Sequence, residues 1–579
     1  MATDNTDSVA ADADPAASTN VEDSPRQHAN PAAQVVGPEV MATFSLPKDK
    51  PKPVAIVAVH GMGMQLRFET LNAVANAVGR AEKRRSGKPE PPHVSVKSVK
   101  VDTGPNTGSG PSTTLERAQL EINDGKAEVH IFECYWAPVT EGKVGLKDVV
   151  SFLMDTGNRA MLPSLFTTFS RWMFGGMKEL PIKRGTPVNL VVTMLVVVSL
   201  LALNTAITWA SMKVSLGSID PAAAVYSQSS TAEGASGGQI SNSTDTKAEA
   251  LKLRNLTYSV SLVFAFALIA AGSLGLASRW RGRRVRLGYS GRLWTPLALL
   301  IKASCWLLFL AIIVAGFAVM LETLGWTRSL WSYVLGDETV WTPFSMSWSS
   351  FCWLVFALAI FVSGKVRSYL IQYAGDLAAY LTGHLVSKFH EVRAEVQKKA
   401  HETARAVYAL KDQDGNSVYD RVIFVGHSLG SVVAYDTLNR LINEDQLAAQ
   451  PETQALGITS RTFAFVTFGS PLDKTAFLFR NQAKVEDETR EALAALRQPM
   501  IVKYGHRPKR WINIHSSYDI VSGRLEYYDD PNVNEGCPQR VKNIPDPEAN
   551  IYLAAHSHFW ENDLLGDTIV REALRPEPD

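Results

Sequence analysis

At Gly426-His427-Ser428-Leu429-Gly430 a serine stands between two glycines, each two residues away. This spacing is that of a nucleophile elbow, a strained strand-to-helix turn that holds a hydroxyl exposed and leaves no room for flanking side chains. Alone the pattern is weak: with Gly and Ser each about 7% of residues, roughly one chain in five of this length contains one by chance. Context decides. Arg421-Val-Ile-Phe-Val425 is the short β-branched run of a buried parallel strand, and Ser431-Val-Val-Ala-Tyr-Asp-Thr-Leu438 continues with helical spacing. A serine so placed attacks an acyl carbon, and the backbone N–H of Leu429 beside it supplies half of an oxyanion hole. His427 flanks the nucleophile and is not read as the base.

The other half of such a hole comes from a loop after an early strand. Val54-Ala-Ile-Val-Ala-Val59 is a buried-strand run that ends in His60-Gly61-Met62-Gly63, and Met62 is the expected N–H donor. The remaining partners follow in the order serine, acid, histidine. Phe463-Ala-Phe-Val-Thr-Phe468 reads as the next strand, and Trp511-Ile-Asn-Ile-His515 as the one after it, leading to Asp519. Asp519 is the acid that would orient the histidine, with Asp473 as the alternative. His556 and His558 are both candidates for the general base, of which one can take the Ser428 proton.

Taken together, His60-Gly-Met-Gly-Met-Gln65, the elbow, Phe468-Gly-Ser-Pro-Leu472, Trp511-Ile-Asn-Ile-His515 with Asp519, and His556-Ser-His-Phe-Trp560 resemble the lipase-like branch of the α/β-hydrolase superfamily, closest to its membrane-anchored members. The resemblance covers roughly residues 53–136 and 366–563. In lipases ending in His-x-x-aromatic-aromatic the first histidine is the catalytic one, which implies His556. It also implies an α/β fold with a mostly parallel sheet flanked by helices. A membrane insertion departs from the soluble lipase pattern and leaves the substrate class open.

The elements that must position these residues are separated by four apolar stretches, 188–210, 257–278, 296–321 and 345–363. A bilayer core of about 30 Å needs about 20 helical residues, so each qualifies as a span, the fourth being the shortest and richest in serine. Positive charge is retained on the cytoplasmic side. Arg279, Arg281, Arg283, Arg284, Arg286 and Arg292 lie between the second and third stretches, Lys183 and Arg184 precede the first, and Lys365 and Arg367 follow the fourth. Those segments are expected in the cytoplasm, and in a bacterial source the membrane would be the inner or plasma membrane. The oxyanion-loop strand precedes the spans and the elbow follows them, so one sheet can form only after an even number of crossings. Four spans meet that condition.

The expected organisation is therefore a disordered acidic tail over 1–50, an N-terminal part of the hydrolase domain over 51–185, a four-helix transmembrane insertion over 186–364, and a C-terminal part carrying the elbow over 365–579. Residues 148–176 carry an apolar set at helical spacing, for a helix lying in the membrane interface or packed on the core.

Lys plus Arg number 58 against 57 for Asp plus Glu, so the net charge of +1 offers no electrostatic footprint for nucleic acid. Four cysteines, none in a Cys-x-x-Cys pair, build neither a disulfide framework nor a zinc site, and no cofactor is implied. The partner is the lipid bilayer, and the expected activity is cleavage of a lipid or other acyl ester through an acyl-enzyme. The same residues would serve an acyltransferase or thioesterase. An inactive membrane scaffold or transport component is the reading from another class; transport lacks the paired ionisable residues within the spans that it would need.

Overall fold

A computed structural model describes residues 35–41, 51–63, 65–102, 112–141, 143, 145–183, 185–216, 240–325, 330–335, 357, 380, 387–448, 455–481, 488–533 and 537–575. In chain order its strands are β1 (Val35–Met41), β2 (Val54–Val59), β3 (Val94–Asp102), β4 (Ser112–Ile122), β5 (Ala127–Cys134), β6 (Thr168–Met173), β7 (Gly176–Pro181), β8 (Arg421–His427), β9 (Thr462–Phe468), β10 (Arg510–His515) and β11 (Val541–Pro545). The longer helices are α1 (Glu69–Ser86), α2 (Leu146–Ser164), α3 (Thr186–Ser215), α4 (Ile240–Arg286), α5 (Thr295–Thr323), α6 (Ser387–Ala409), α7 (Leu429–Ala448), α8 (Leu472–Asn481) and α9 (Asp563–Leu574).

Among the described residues, nine strands form one sheet in the order β1-β3-β4-β5-β2-β8-β9-β10-β11. The pairs β3·β4 and β4·β5 are antiparallel and the others parallel. Strand β2 is buried along its whole length, as its unbroken apolar run requires of a central parallel strand covered on both faces. Its residues alternate between two cores. Ala55, Val57 and Val59 pack with Val396, Ala400 and Val407 of α6 and Val433 of α7, whereas Val54, Ile56 and Ala58 pack with Val74 and Val78 of α1 and Ile569 of α9. Each fully buried Val or Ile contributes about 1.5–3 kcal/mol. The chain is thus α/β, with a mostly parallel sheet flanked by helices.

Residues flanking the apolar helices join directly in this sheet. Strand β2 pairs with β8 in the register Val54↔Arg421 to Val59↔Gly426, which sets the ends of the two strands side by side. The ends of β9 and β10 follow, with His427↔Phe468 and Ile514↔Phe468. A parallel sheet gathers functional loops at this edge.

Among the described residues three helices are long and apolar enough to cross a membrane, over Thr186–Lys213, Leu251–Arg286 and Thr295–Thr323. They contain the first three stretches expected from the sequence; the fourth, 345–363, lies outside the described residues except for 357. The helices alternate in direction. At one end Lys213 of α3 pairs with Glu249 of α4 at 3.0 Å, and Asn255 of α4 donates to Glu322 of α5 at 2.9 Å. At the other end the same helices meet the sheet domain.

Two local expectations give way. The tail expected over 1–50 contributes β1, which pairs parallel with β3 at the sheet edge and slips register between Val36 and Glu39. Gly37-Pro38 falls at that slip, where a residue without an N–H is tolerated. The rest of 1–50 lies outside the described residues. The apolar set over 148–176 is not one helix: α2 ends at Ser164, and β6 and β7 form an antiparallel hairpin. Phe174 and Gly175, at φ 49° and 83°, make its turn. Phe169 packs edge-on against Phe477 and Tyr527, so the hairpin covers the sheet's core, while Leu165 and Phe166 remain exposed.

Candidate active site

Ser428 sits between β8 and α7 with φ 51°, in the left-handed region that a non-glycine residue enters only under constraint. The constraint is visible. Its N–H donates to the carbonyl of Phe468 at 3.1 Å, and its own carbonyl accepts from the Ser431 N–H at 3.0 Å and the Ser431 hydroxyl at 2.6 Å. The flanking glycines are demanded by contact: a Cβ on Gly426 would stand 2.7 Å from the Ser431 Cα, and one on Gly430 would stand 2.2 Å from the His60 carbonyl oxygen. The elbow is thereby pressed onto the loop after β2.

That loop is fixed by His60, a residue whose role its spacing does not reveal. The backbone N–H groups of Trp136 and Ala137 donate to His60 Nε2 at 2.9 and 3.2 Å, so Nε2 is unprotonated. Nδ1 then carries the proton and donates to the Gly61 carbonyl at 2.8 Å, while the Trp136 ring stacks on the imidazole at 4.5 Å. Burial pushes the His60 pKa down to about 4, keeping the ring neutral. A Cβ on Gly61 would lie 2.8 Å from the Ser428 Cβ, which puts the loop directly against the nucleophile candidate. Met62 follows in the same bend, half-buried against the core. Leu429 is the first residue of α7, where N–H groups have no intrahelical acceptor.

His556 lies in a short helix, Ala555–His558, before α9. Its Nε2 is 2.9 Å from the Ser428 Oγ, and its Nδ1 is 2.9 Å from an oxygen of Asp519. A carboxylate can only accept, so Nδ1–H donates to Asp519 and Nε2 is free to accept the Ser428 proton. The other Asp519 oxygen accepts the Val521 N–H at 2.8 Å. Burial alone would raise the Asp519 pKa, but the hydrogen bond and charge of His556, aided by Val521, outweigh it and hold the carboxyl below its ordinary range. Ser428 is 1% exposed and Asp519 6% exposed. A protonated His556 and Asp519 would face each other largely out of water.

The structure brings Ser428, His556 and Asp519 together and leaves both alternatives elsewhere. Asp473, at the start of α8, accepts the backbone N–H groups of Glu526 and Tyr527 at 2.9–3.1 Å and lies 3.4 Å from Lys183. Burial raises its pKa to about 6. His558 is half-buried with its Nδ1 shielded and without a hydrogen-bond partner, and burial with nearby Arg281 pushes its pKa down to about 3. His427 braces His556 from behind, its Nε2–H donating to the backbone carbonyl of His556 at 3.0 Å.

Among the described residues no group of three or more His, Cys, Asp or Glu side chains is placed to hold a metal ion. No protein-family model matches the chain, and neither a curated protein nor a solved structure does.

Proposed function

We propose that the chain is a membrane-anchored serine hydrolase with an α/β-hydrolase fold, cleaving an ester through an acyl-enzyme. The observation that carries this reading is the unbroken line from the Ser428 Oγ through both ring nitrogens of His556 to Asp519, with 2.9 Å at each step. In the proposed reaction the Ser428 Oγ attacks the ester carbonyl carbon while His556 Nε2 takes its proton. Asp519 holds the tautomer and stabilises the imidazolium. The N–H groups of Leu429 and Met62 receive the oxyanion. His556 then protonates the leaving alkoxide, and water attacks the acyl-enzyme with His556 as base, regenerating Ser428.

A lipid or other membrane-derived acyl substrate is supported by where the acid and base loops rest. Ile551 and Tyr552, ahead of His556, bury against Ala270, Ala277, Ala298 and Ile301 of the apolar helices α4 and α5, with Tyr518 packed beside them. The acid and base loops therefore rest on the apolar helices themselves, which favours a substrate whose acyl chain comes from the bilayer.

The sheet itself argues for the topology. Because β2 and β8 pair, a chain that crosses a membrane between them must return to its starting side, yet three helices among the described residues are long and apolar enough to cross. The apolar stretch 345–363, read from the sequence alone, would supply the fourth crossing and restore an even number. Positive charge then assigns the sheet, both termini and the candidate site to the cytoplasm. Protease added outside sealed cells is expected to spare the sheet domain, and cleavage there contradicts this orientation. For the activity, aryl esters and phospholipids are offered to the purified protein and to Ser428→Ala. Hydrolysis by the first alone is expected; equal rates, or none, contradict the reading.

A further inference from the structure

We infer that Arg281 is a positioning residue for His556, and that the α4–α5 hairpin is the platform holding the acid and base loops against Ser428. This rests on the triad reading above.

Arg281 stands near the end of α4 in a run of arginines whose membrane role is met by charge alone. Its neighbours fit that role: Arg279, Arg283, Arg286 and Arg292 are exposed. Arg281 does not, because its side chain is 1% exposed. A guanidinium leaves water only where fixed acceptors replace its hydration. Those acceptors are the Glu561 carboxylate, the Asn562 side-chain oxygen and the His558 carbonyl, all within six residues of His556.

The connection continues to the acid. Asn562, wholly buried, donates its Nδ2–H to Asp546 at 2.6 Å. The Asp546 N–H donates to the carbonyl of His515 at 2.8 Å, at the end of the strand that leads to Asp519. One guanidinium on a membrane helix thus ties down both loops. The hairpin holds the same loops at two further points. The Leu293 N–H, between α4 and α5, donates to Asn550 at 2.9 Å, and the Lys302 ammonium of α5 lies over the rings of Tyr518 and Tyr552 at 5.6 and 5.7 Å. Ser428, in contrast, is set by β8, β9 and α7. The alignment of base to nucleophile therefore depends on how the hairpin seats, and a displacement of about 1 Å is enough to cost 100-fold in rate.

The test uses the full chain in lipid nanodiscs with a short water-soluble aryl ester. Arg281→Ala is expected to lower kcat by on the order of 10- to 100-fold with KM unchanged, because the acyl site is intact and only the base is misaligned. The rate of labelling by a fluorophosphonate falls in parallel. Arg281→Lys, which returns the charge without the fork, recovers part of the loss. Arg279→Ala and Arg286→Ala remove the same charge from the same stretch and keep wild-type kcat. Wild-type kcat in Arg281→Ala overturns the inference, as does an equal loss in Arg279→Ala. Should Arg281→Ala not fold, Arg281→Lys and Glu561→Gln decide: a lowered kcat in both supports the inference, and full activity in either overturns it. Wild-type protein that does not label, or labels no faster than Ser428→Ala, instead brings down the triad reading and this inference with it.

Discussion

His427, the residue before the nucleophile candidate, donates its Nε2–H to the backbone carbonyl of His556 across 3.0 Å. The strand that leads to Ser428 thereby holds the main chain of His556, while Asp519 holds its ring. Burial, reinforced by His556, pushes the His427 pKa down to about 3, so the ring is neutral and spends its one proton on this bond. His427→Ala is expected to lower kcat about tenfold by loosening the base. His427→Gln, which can keep a donor, retains more activity. Steady-state kinetics on the two variants separates this from a packing role, in which both would lose alike.

Asp519 and Asp473 are both buried carboxyls near the strand ends, and substitution should tell them apart. Asp519→Asn is expected to cut kcat by on the order of 1,000- to 10,000-fold, because an amide can present a donor to Nδ1 and hold the wrong tautomer. Asp473→Asn turns one of the two oxygens that face the Glu526 and Tyr527 N–H groups into a donor and removes the charge that faces Lys183. It should cost about 1–3 kcal/mol of stability with kcat little changed. Paired kinetics and thermal melts check this, and a chemical collapse in Asp473→Asn would reverse the assignment.

The loop after β2 makes a steric prediction. A Cβ on Gly61 would lie 2.8 Å from that of Ser428 and 3.0 Å from His427 Nδ1. Gly61→Ala should therefore push the Met62 N–H out of line and lower kcat by roughly 100-fold, the scale of one lost oxyanion donor. Circular dichroism should show the fold retained. Unchanged kcat would mean that this loop does not serve the reaction.

How much of this is legible in the sequence follows the physics of each element. Strands β2, β8, β9 and β10 are legible because parallel strands covered on both faces are unbroken apolar runs, and the glycines around Ser428 are required by contacts that any such elbow makes. The hairpin of β6 and β7 reads as helix because Phe169 and Met173 suit a helical face, although Phe169, Arg171 and Met173 also alternate inward on a strand. The Phe174-Gly175 turn is the signal that separates the two. His556 and His558 stand two residues apart in one short helix; the resemblance of His556-Ser-His-Phe-Trp560 to the lipase ending favours the first, and three-dimensional placement separates them. The work of His60, His427 and Arg281 depends on partners hundreds of residues away or on backbone atoms, which no spacing reveals.

Acid should destabilise the protein through its buried histidines. Burial holds His60 and His130 at about 4 and His427 and His558 at about 3, each from an ordinary 6.5. The unfolded chain binds protons there that the native chain refuses, so this stability is fully present above pH 6.5 and is lost as pH falls toward the native values. Each unit of depression is worth about 1.4 kcal/mol. Asp473, raised to about 6 by burial, acts oppositely, its stability being lost as pH rises. Burial also raises Glu133, Asp546 and Asp563, but it lowers His401, His506 and His515 as well, and the histidines outweigh the carboxyls. Tm in detergent micelles should be flat above about pH 7 and fall steadily below about 6.5; a Tm that rises on acidification contradicts it.

The central claim is that Ser428 is a nucleophile activated by His556, and fluorophosphonate labelling of the folded, full-length protein in lipid tests it most directly. Wild type should label with one probe per chain, at Ser428 by peptide mapping. Ser428→Ala should not label, and His556→Ala should label at least 100-fold more slowly. Labelling of Ser428→Ala at the wild-type rate, or a wild-type protein that binds lipid and melts cooperatively yet takes up no probe, would contradict it.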